Sequence, residues 1–301
     1  MDKYVADQAE GLRRMLAHSR SRVLAVVSAT AGAGSTTVVV NLAAALALQG
    51  KDVLVLDESV GGLSVSAMLG GLRGVGQANA VLNGEAALEQ AAARHALGFA
   101  VLAAPHCMTG MRGMTGEPDA SAAAMAPRYD ALLNGAADIV LIDARLDAHG
   151  SLSGLALQAH DVMLVTRVTA AEITETYACL KRLHYVHGLA QFRVLANHVQ
   201  RASNAQTAFR NLAAVAGRYL GIALGDAGHI MNDTQIARAL ALSRCLVEAF
   251  PSTLAAAALR QLAAILMHWP QRETSLLPHR HHAEIAVSPP RHAGQPLARH
   301  A

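Results

Sequence analysis

The chain has 301 residues, a formal net charge of +3, 52% hydrophobic and 16% charged residues, and a mean hydropathy of +0.27. Despite that hydropathy, no apolar run approaches the roughly 20 residues of a membrane span, and the charged start Met1-Asp2-Lys3 is unlike a signal peptide, so a cytoplasmic protein is expected. Part of the positive excess sits in residues 271–301, where Arg272, Arg280, Arg291 and Arg299 outnumber Glu273 and Glu284; the body is close to neutral and carries no charge signal for nucleic acid. Cys107, Cys179 and Cys245 are far apart and match neither a metal-ligand spacing nor a disulfide framework.

Apolar runs then alternate with helical stretches. Residues 23–28 (VLAVVS) predict a buried strand, followed by a glycine-rich turn and a helix over 38–48. Residues 52–57 (DVLVLD) predict a second strand closing on Asp57, 99–102 (FAVL) a weaker third, and 138–143 (DIVLID) a fourth closing on Asp143. Residues 161–166 (DVMLVT) and 192–197 (FRVLAN) continue the series, each with a helical segment after it. Short continuous apolar strands separated by helices imply an α/β fold, a doubly wound and mostly parallel sheet covered on both faces. Ligands bind such sheets at the carboxyl ends of the strands, where Asp57, Asp143 and the glycine turn would meet.

Residues 108–128, rich in Met, Gly, Ala and Ser, predict a loop with one short helix. Residues 252–269 predict a terminal helix, with Leu254, Ala258, Leu262, Ile265, Leu266 and Trp269 at helical spacing. The Pro-, His- and Arg-rich residues 271–301 cannot build a core and predict a disordered tail. This divides the chain into 1–20, a main domain at 21–250, an amphipathic helix at 251–270 and the tail.

The turn Thr30-Ala31-Gly32-Ala33-Gly34-Ser35-Thr36-Thr37 lies between a strand and the helix it opens, which is the context of an anion cradle built from backbone amides. With Asp143 closing a later strand, Thr36 would hold magnesium directly and Asp143 through water. Segment 22–57 resembles the MinD/ParA (SIMIBI) class of P-loop ATPases, whose loop reads Lys-Gly-Gly-x-Gly-Lys-Thr-Thr, and the resemblance extends over about residues 5–269. It implies ATP or ADP with Mg bound by Gly32, Gly34, Ser35, Thr36, Thr37, Asp57, Asp143 and Asn197, the last placed like the family's adenine-recognising Asn.

The departures from the family pattern fall on its charged groups. Thr30 stands where the family has the lysine that crosses to the partner's ATP, and Ser35 where it has the phosphate-gripping lysine. Ser59 replaces the second Asp of the family's Asp-x-Asp, and Ala144-Arg145-Leu146-Asp147 replaces its Pro-x-Gly. Arg145 is a nearby cation, but the reading adopted is that the lost charge is not replaced. Losing one partner of a desolvated charge pair costs about 2–5 kcal/mol, so ATP binding should be weak and hydrolysis weak or lost; no catalytic residue is assigned. The reading set against this is a working MinD/ParA-type ATPase, of whichever pathway, cellulose synthesis among them.

At the start of the chain, Asp7-Gln8-Ala9-Glu10-Gly11-Leu12-Arg13-Arg14 has the form of a helix start, with Asp7 as N-cap and Glu10 three residues on. The string also resembles the activating motif of the FlhG/FleN regulators of flagellar number and placement, MinD-like proteins that stimulate the signal-recognition-type GTPase FlhF. That resemblance implies a partner-binding element of Asp7, Gln8, Ala9, Leu12 and Arg13, with Gln8 ordering the partner's catalytic water. It also implies a homodimer, whose dependence on ATP Thr30 puts in question, and a peripheral contact of the terminal helix with the inner face of the cell membrane. The meagre polar face of that helix, Arg260, Gln261 and His268, favours packing on the domain instead.

Overall fold

The computed structural model describes residues 21–59, 61–105, 129–135 and 137–270. The N-terminal motif, the loop at 108–128 and the tail at 271–301 therefore lie outside the described residues. Strand β1 (Arg22–Val27) is buried along its whole length and runs through the glycine turn into helix α1 (Ser35–Leu48), which begins three residues earlier than the sequence suggests. Strand β2 (Val53–Asp57) leads into short helices α2 (Val65–Met68), α3 (Ala78–Leu82) and α4 (Leu88–Ala91), then β3 (Ala93–Arg94) and β4 (Ala100–Ala103). After β5 (Ile139–Asp143) come β6 (Asp161–Arg167), α5 (Ala170–His187), β7 (Gln191–Val199), α6 (Ala202–Leu220) and β8 (Ala223–Met231). Helices α7 (Thr234–Ala241), α8 (Leu246–Ala249) and α9 (Leu254–Leu266) complete the described chain.

The eight strands form one sheet in the order β3-β4-β2-β5-β1-β6-β7-β8, parallel throughout except for the β3–β4 pair. Alternate residues of each strand enter opposite cores, as the pleat requires. Val23, Ala25 and Val27 join Leu180, Leu183 and Leu212 under α5 and α6, whereas Leu24 and Val26 join Val39, Leu42, Leu259 and Leu262 under α1 and α9. The chain leaves β1 toward β2 on one side and later crosses to β6 on the other, so β1 is the point where the winding reverses. Register then fixes the site: Asp57 pairs with Asp143 across β2–β5, and Val26 pairs with Asp143 across β1–β5. Both carboxylates thus end their strands level with the start of the glycine turn.

Besides the short helices before β4 and the antiparallel β3, two further features depart from the sequence reading. Strand β8 was not expected; it is an edge strand with Gly225, Gly228, Asp226 and His229, half exposed, and it joins β7 with register shifts around Ala196 and Val199. Glycines and polar residues remove the apolar signal that central strands carry. The terminal helix is shorter than expected, and its buried face is Ala255, Ala256, Leu259, Leu262, Ala263 and Leu266, leaving Leu254 (72% exposed) and Ile265 outside. Small alanines let α9 lie close to α1, and Leu259, Leu262 and Leu266 complete the contact face. Beyond α9, Arg22 donates to the Trp269 carbonyl at 2.8 Å and pairs with Asp161 at 2.6 Å, while Arg193 lies 4.4 Å over the Trp269 ring. The end of this segment is thereby fastened to the strand edges.

Candidate nucleotide-binding site

The loop takes its shape from two glycines in the left-handed region, Gly32 (φ 78°) and Gly34 (φ 96°). Gly34 is the N-cap of α1 and offers no side chain to the first amides of the helix, and the first turn carries no acidic residue. A Cβ on Gly34 would lie 2.4 Å from Asn197 Nδ2, so glycine is required both by its φ and by the close approach of β7. Asn197 Nδ2 donates to the Ala33 carbonyl at 2.8 Å, and its Oδ1 accepts from the His198 amide at 2.9 Å. Farther along α1, Asn41 donates to the Thr37 carbonyl and accepts from the Leu246 amide at 2.6 Å, tying the helix to α8.

Below the loop, Thr36 Oγ1 and Ser59 Oγ donate to Asp143 Oδ2 at 2.8 and 2.9 Å. Asp57 accepts from the amides of Ser59 at 2.9 Å and Val65 at 2.7 Å. Glu58 accepts from Ser153 Oγ and from the Arg145 amide at 3.1 Å. All three carboxylates are buried. Burial, reinforced by the neighbouring Asp57 charge, pushes Asp143 up to about 7 against the hydrogen bonds from Thr36 and Ser59. Burial likewise pushes Glu58 up to about 7 and raises Asp57.

Asp143 Oδ1 is buried without a hydrogen-bond partner among the described residues. An orphaned carboxylate oxygen beside a threonine hydroxyl is a hard oxygen donor set, so Thr36 and Asp143 are the residues that would hold a magnesium ion. Such an ion would supply the positive charge that this carboxylate cluster lacks.

The two positions of the missing lysines are engaged within the chain. Thr30 Oγ1 donates to the carboxylate of Glu172, in the first turn of α5, and Ser35 Oγ lies 3.3 Å from Ser28 Oγ. Between the loop and α7 opens a cavity of about 510 Å³, within the range of small-ligand pockets. Gly32, Gly34, Ser35, Thr36, Thr37 and Asn197 are among its lining, together with the apolar Met68, Ile230, Ile236, Leu240 and Leu259. Asp57 and Asp143 are not part of the lining; Asp143 reaches it through Thr36. Its arginines are Arg145 and Arg167, and among the described residues no lysine lines it.

Sequence reasoning missed Arg167 and Glu172 as neighbours of the loop. They close β6 and open α5, and only the β1–β6 pairing, Leu24 opposite Asp161 through Val27 opposite Leu164, brings them there. The partner-binding residues Asp7, Gln8, Ala9, Leu12 and Arg13 lie outside the described residues.

The geometry agrees with what the chain resembles. The ParA family model, described as NUBPL iron-transfer P-loop NTPase, matches residues 19–89. The antiactivator FleN of Pseudomonas aeruginosa is 29% identical over 249 residues, 83% of this chain and 87% of that protein. Among solved structures, MinD of Aquifex aeolicus in its MinC:MinD complex superposes with a TM-score of 0.62 at 20% identity, over 83% of this chain and 97% of that one. MinD of Pyrococcus horikoshii, complexed with Mg-ADP, gives a TM-score of 0.60 at 22% identity, over 82% and 96%. The chain thus has the fold of the MinD and ParA-type P-loop proteins and is similar in sequence to the antiactivator FleN, with Thr30 and Ser35 at the loop positions where a lysine was expected.

Proposed function

We propose that this chain is a flagellar regulator of the FlhG/FleN type that acts on the FlhF GTPase through its N-terminal segment and turns over little or no ATP. The observation that carries the second half is the state of the two lysine positions: Thr30 is hydrogen-bonded to Glu172, and Ser35 is buried beside Ser28. Neither side chain brings charge to a phosphate, and transition-state charge stabilisation is the main device of phosphoryl transfer. ADP or ATP with magnesium remains the ligand class that the loop amides, Thr36 and Asp143 would hold. Bound magnesium would neutralise phosphate charge; this chain's residues would do the orienting. Gly32 and Gly34 shape the amide cradle, Thr36 fixes the metal side, and Asn197 braces the loop from behind.

The FlhF half rests on the likeness to FleN and on the Asp7–Arg13 string. Nothing in that string requires nucleotide, so stimulation should be constitutive. The test is GTP hydrolysis by FlhF of the same organism with the full chain added, without and with ATP. Stimulation independent of ATP and lost in Gln8→Ala supports the reading; no stimulation refutes it. Phosphate release from ATP by the full chain is followed alongside, and steady turnover would favour the working ATPase, which the intact cradle and the Thr36–Asp143 pair allow.

A further inference from the structure

A polyphosphate held in this cavity needs a cation from the chain, and the cationic arginines lining it are Arg145 and Arg167. They differ in how they are held. Arg145 is exposed, and its backbone rather than its side chain is engaged, through Glu58. Arg167, half-buried at the end of β6, lies against the loop itself: its Nη2 donates to the Gly32 carbonyl, and a Cβ on Gly32 would stand 3.3 Å from that nitrogen. Its Nε is buried with no hydrogen-bond partner among the described residues. A guanidinium carries five donors in a fixed fork that matches phosphate oxygens. Here one donor is fixed on the rim of the anion cradle and another lacks an acceptor.

We propose that Arg167 is the phosphate-binding cation of this site, replacing from β6 the charge that the class draws from its loop lysine, and that the ligand it serves is the diphosphate of a nucleoside di- or triphosphate. This rests on reading the cavity as a nucleotide site, but not on the action on FlhF or on the rate of turnover. The tie to Gly32 sets the guanidinium beside the loop before a ligand arrives, which limits the ordering needed on binding. An arginine in this position supplies that charge from within the same chain.

Calorimetry of the full chain with Mg-ADP tests this in four proteins: the wild type, Arg167→Lys, Arg167→Gln and Arg145→Ala. Glutamine removes the charge and, two bonds shorter, also the reach to the Gly32 carbonyl, whereas lysine keeps the charge; a purely structural role would lower the unliganded thermal midpoint of Arg167→Gln without a selective loss of pyrophosphate binding. The expected result is a loss of about 30-fold or more in Arg167→Gln, with Arg167→Lys retaining most of the affinity and Arg145→Ala changed by less than about threefold, in keeping with an exposed charge. Thermal midpoints without ligand confirm that each variant folds. Displacement of ADP by pyrophosphate should weaken in parallel in Arg167→Gln, whereas displacement by adenosine should not. Wild-type affinity in Arg167→Gln, a larger loss in Arg145→Ala, a pyrophosphate affinity that ignores Arg167, or no binding of Mg-ADP by the wild type each overturns the proposal. The FlhF assay is separate from all four, so the regulatory reading stands or falls on its own.

Discussion

Replacing Glu58 by glutamine should make the protein more stable above neutral pH and flatten its pH dependence. Glu58 is 3% exposed, and burial lifts its carboxyl from the ordinary 4.5 up to about 7. At about 1.36 kcal/mol per pH unit, that difference corresponds to an upper bound of about 3 kcal/mol. The carboxyl binds its proton more tightly in the folded chain than in the unfolded one. Below pH 4.5 both states are protonated and nothing is lost; between 4.5 and about 7 the unfolded chain releases the proton first, and stability falls as pH rises; above that range both are ionised and the loss is constant. Glutamine can keep both contacts, accepting from the Arg145 amide and donating to the second lone pair of Ser153 Oγ, which also accepts from the Ala156 amide at 2.9 Å. Urea unfolding at pH 5 and pH 8, in chelator, measures the effect. The variant should exceed the wild type by less than about 1 kcal/mol near pH 5 and by up to about 3 kcal/mol at pH 8. Asp143, pushed up to about 7 by the same burial, retains its own slope, so the dependence should shrink rather than vanish. Parallel pH profiles for the two proteins, or a variant less stable at pH 8, would refute the reasoning.

Restoring the loop charge with Ser35→Lys should tighten Mg-ATP binding about tenfold or more, read by calorimetry, because the glycine cradle and the Thr36–Asp143 pair are already in place. Unchanged affinity would mean that the cradle does not hold phosphate. Light scattering should show no change in subunit number on adding Mg-ATP, since the Thr30 hydroxyl is engaged by Glu172 and is too short to cross to a partner; a shift from one to two subunits would contradict this.

Much of the fold was legible because central parallel strands are buried on both faces and therefore read as unbroken apolar runs. Residues 139–143 and 53–57 are wholly buried, and the carboxylates that close them could be assigned to the ligand end of the sheet from sequence alone. The same rule hides β8, where Gly225, Asp226 and Gly228 occupy an edge with one face open. It also misjudges α9, because alanines that pack against α1 carry less weight in an apolar pattern than the exposed Leu254 and Ile265. In the site, the glycine loop, Thr36 and Asp143 were legible through spacing along the chain. Arg167, Glu172 and Ser153 were not, since each meets the loop or its carboxylates only through strand pairing and a crossover that brings distant segments together.

What the missing lysines change is the balance of charge around the loop as well as its reach. A lysine at position 35 would stand over Asp143 and favour its ionised form; without it, Asp57, Glu58 and Asp143 are buried together, and the charge of Arg145 offsets the elevation of Asp143 only weakly. Hydroxyls take over the contacts: Thr36 and Ser59 on Asp143, Ser153 on Glu58, Thr30 on Glu172. A hydroxyl satisfies a protonated or an ionised carboxyl equally well, which lets the cluster persist without a cation. The loop is held in the same way, by the Asn197 amide on Ala33 and the Arg167 guanidinium on Gly32, both anchored in strands. The cradle therefore keeps its shape through contacts of the protein itself. The glycine turn, Thr36 and Asp143 are thereby held in place without a lysine, which is why restoring one at position 35 should add charge to a loop already shaped.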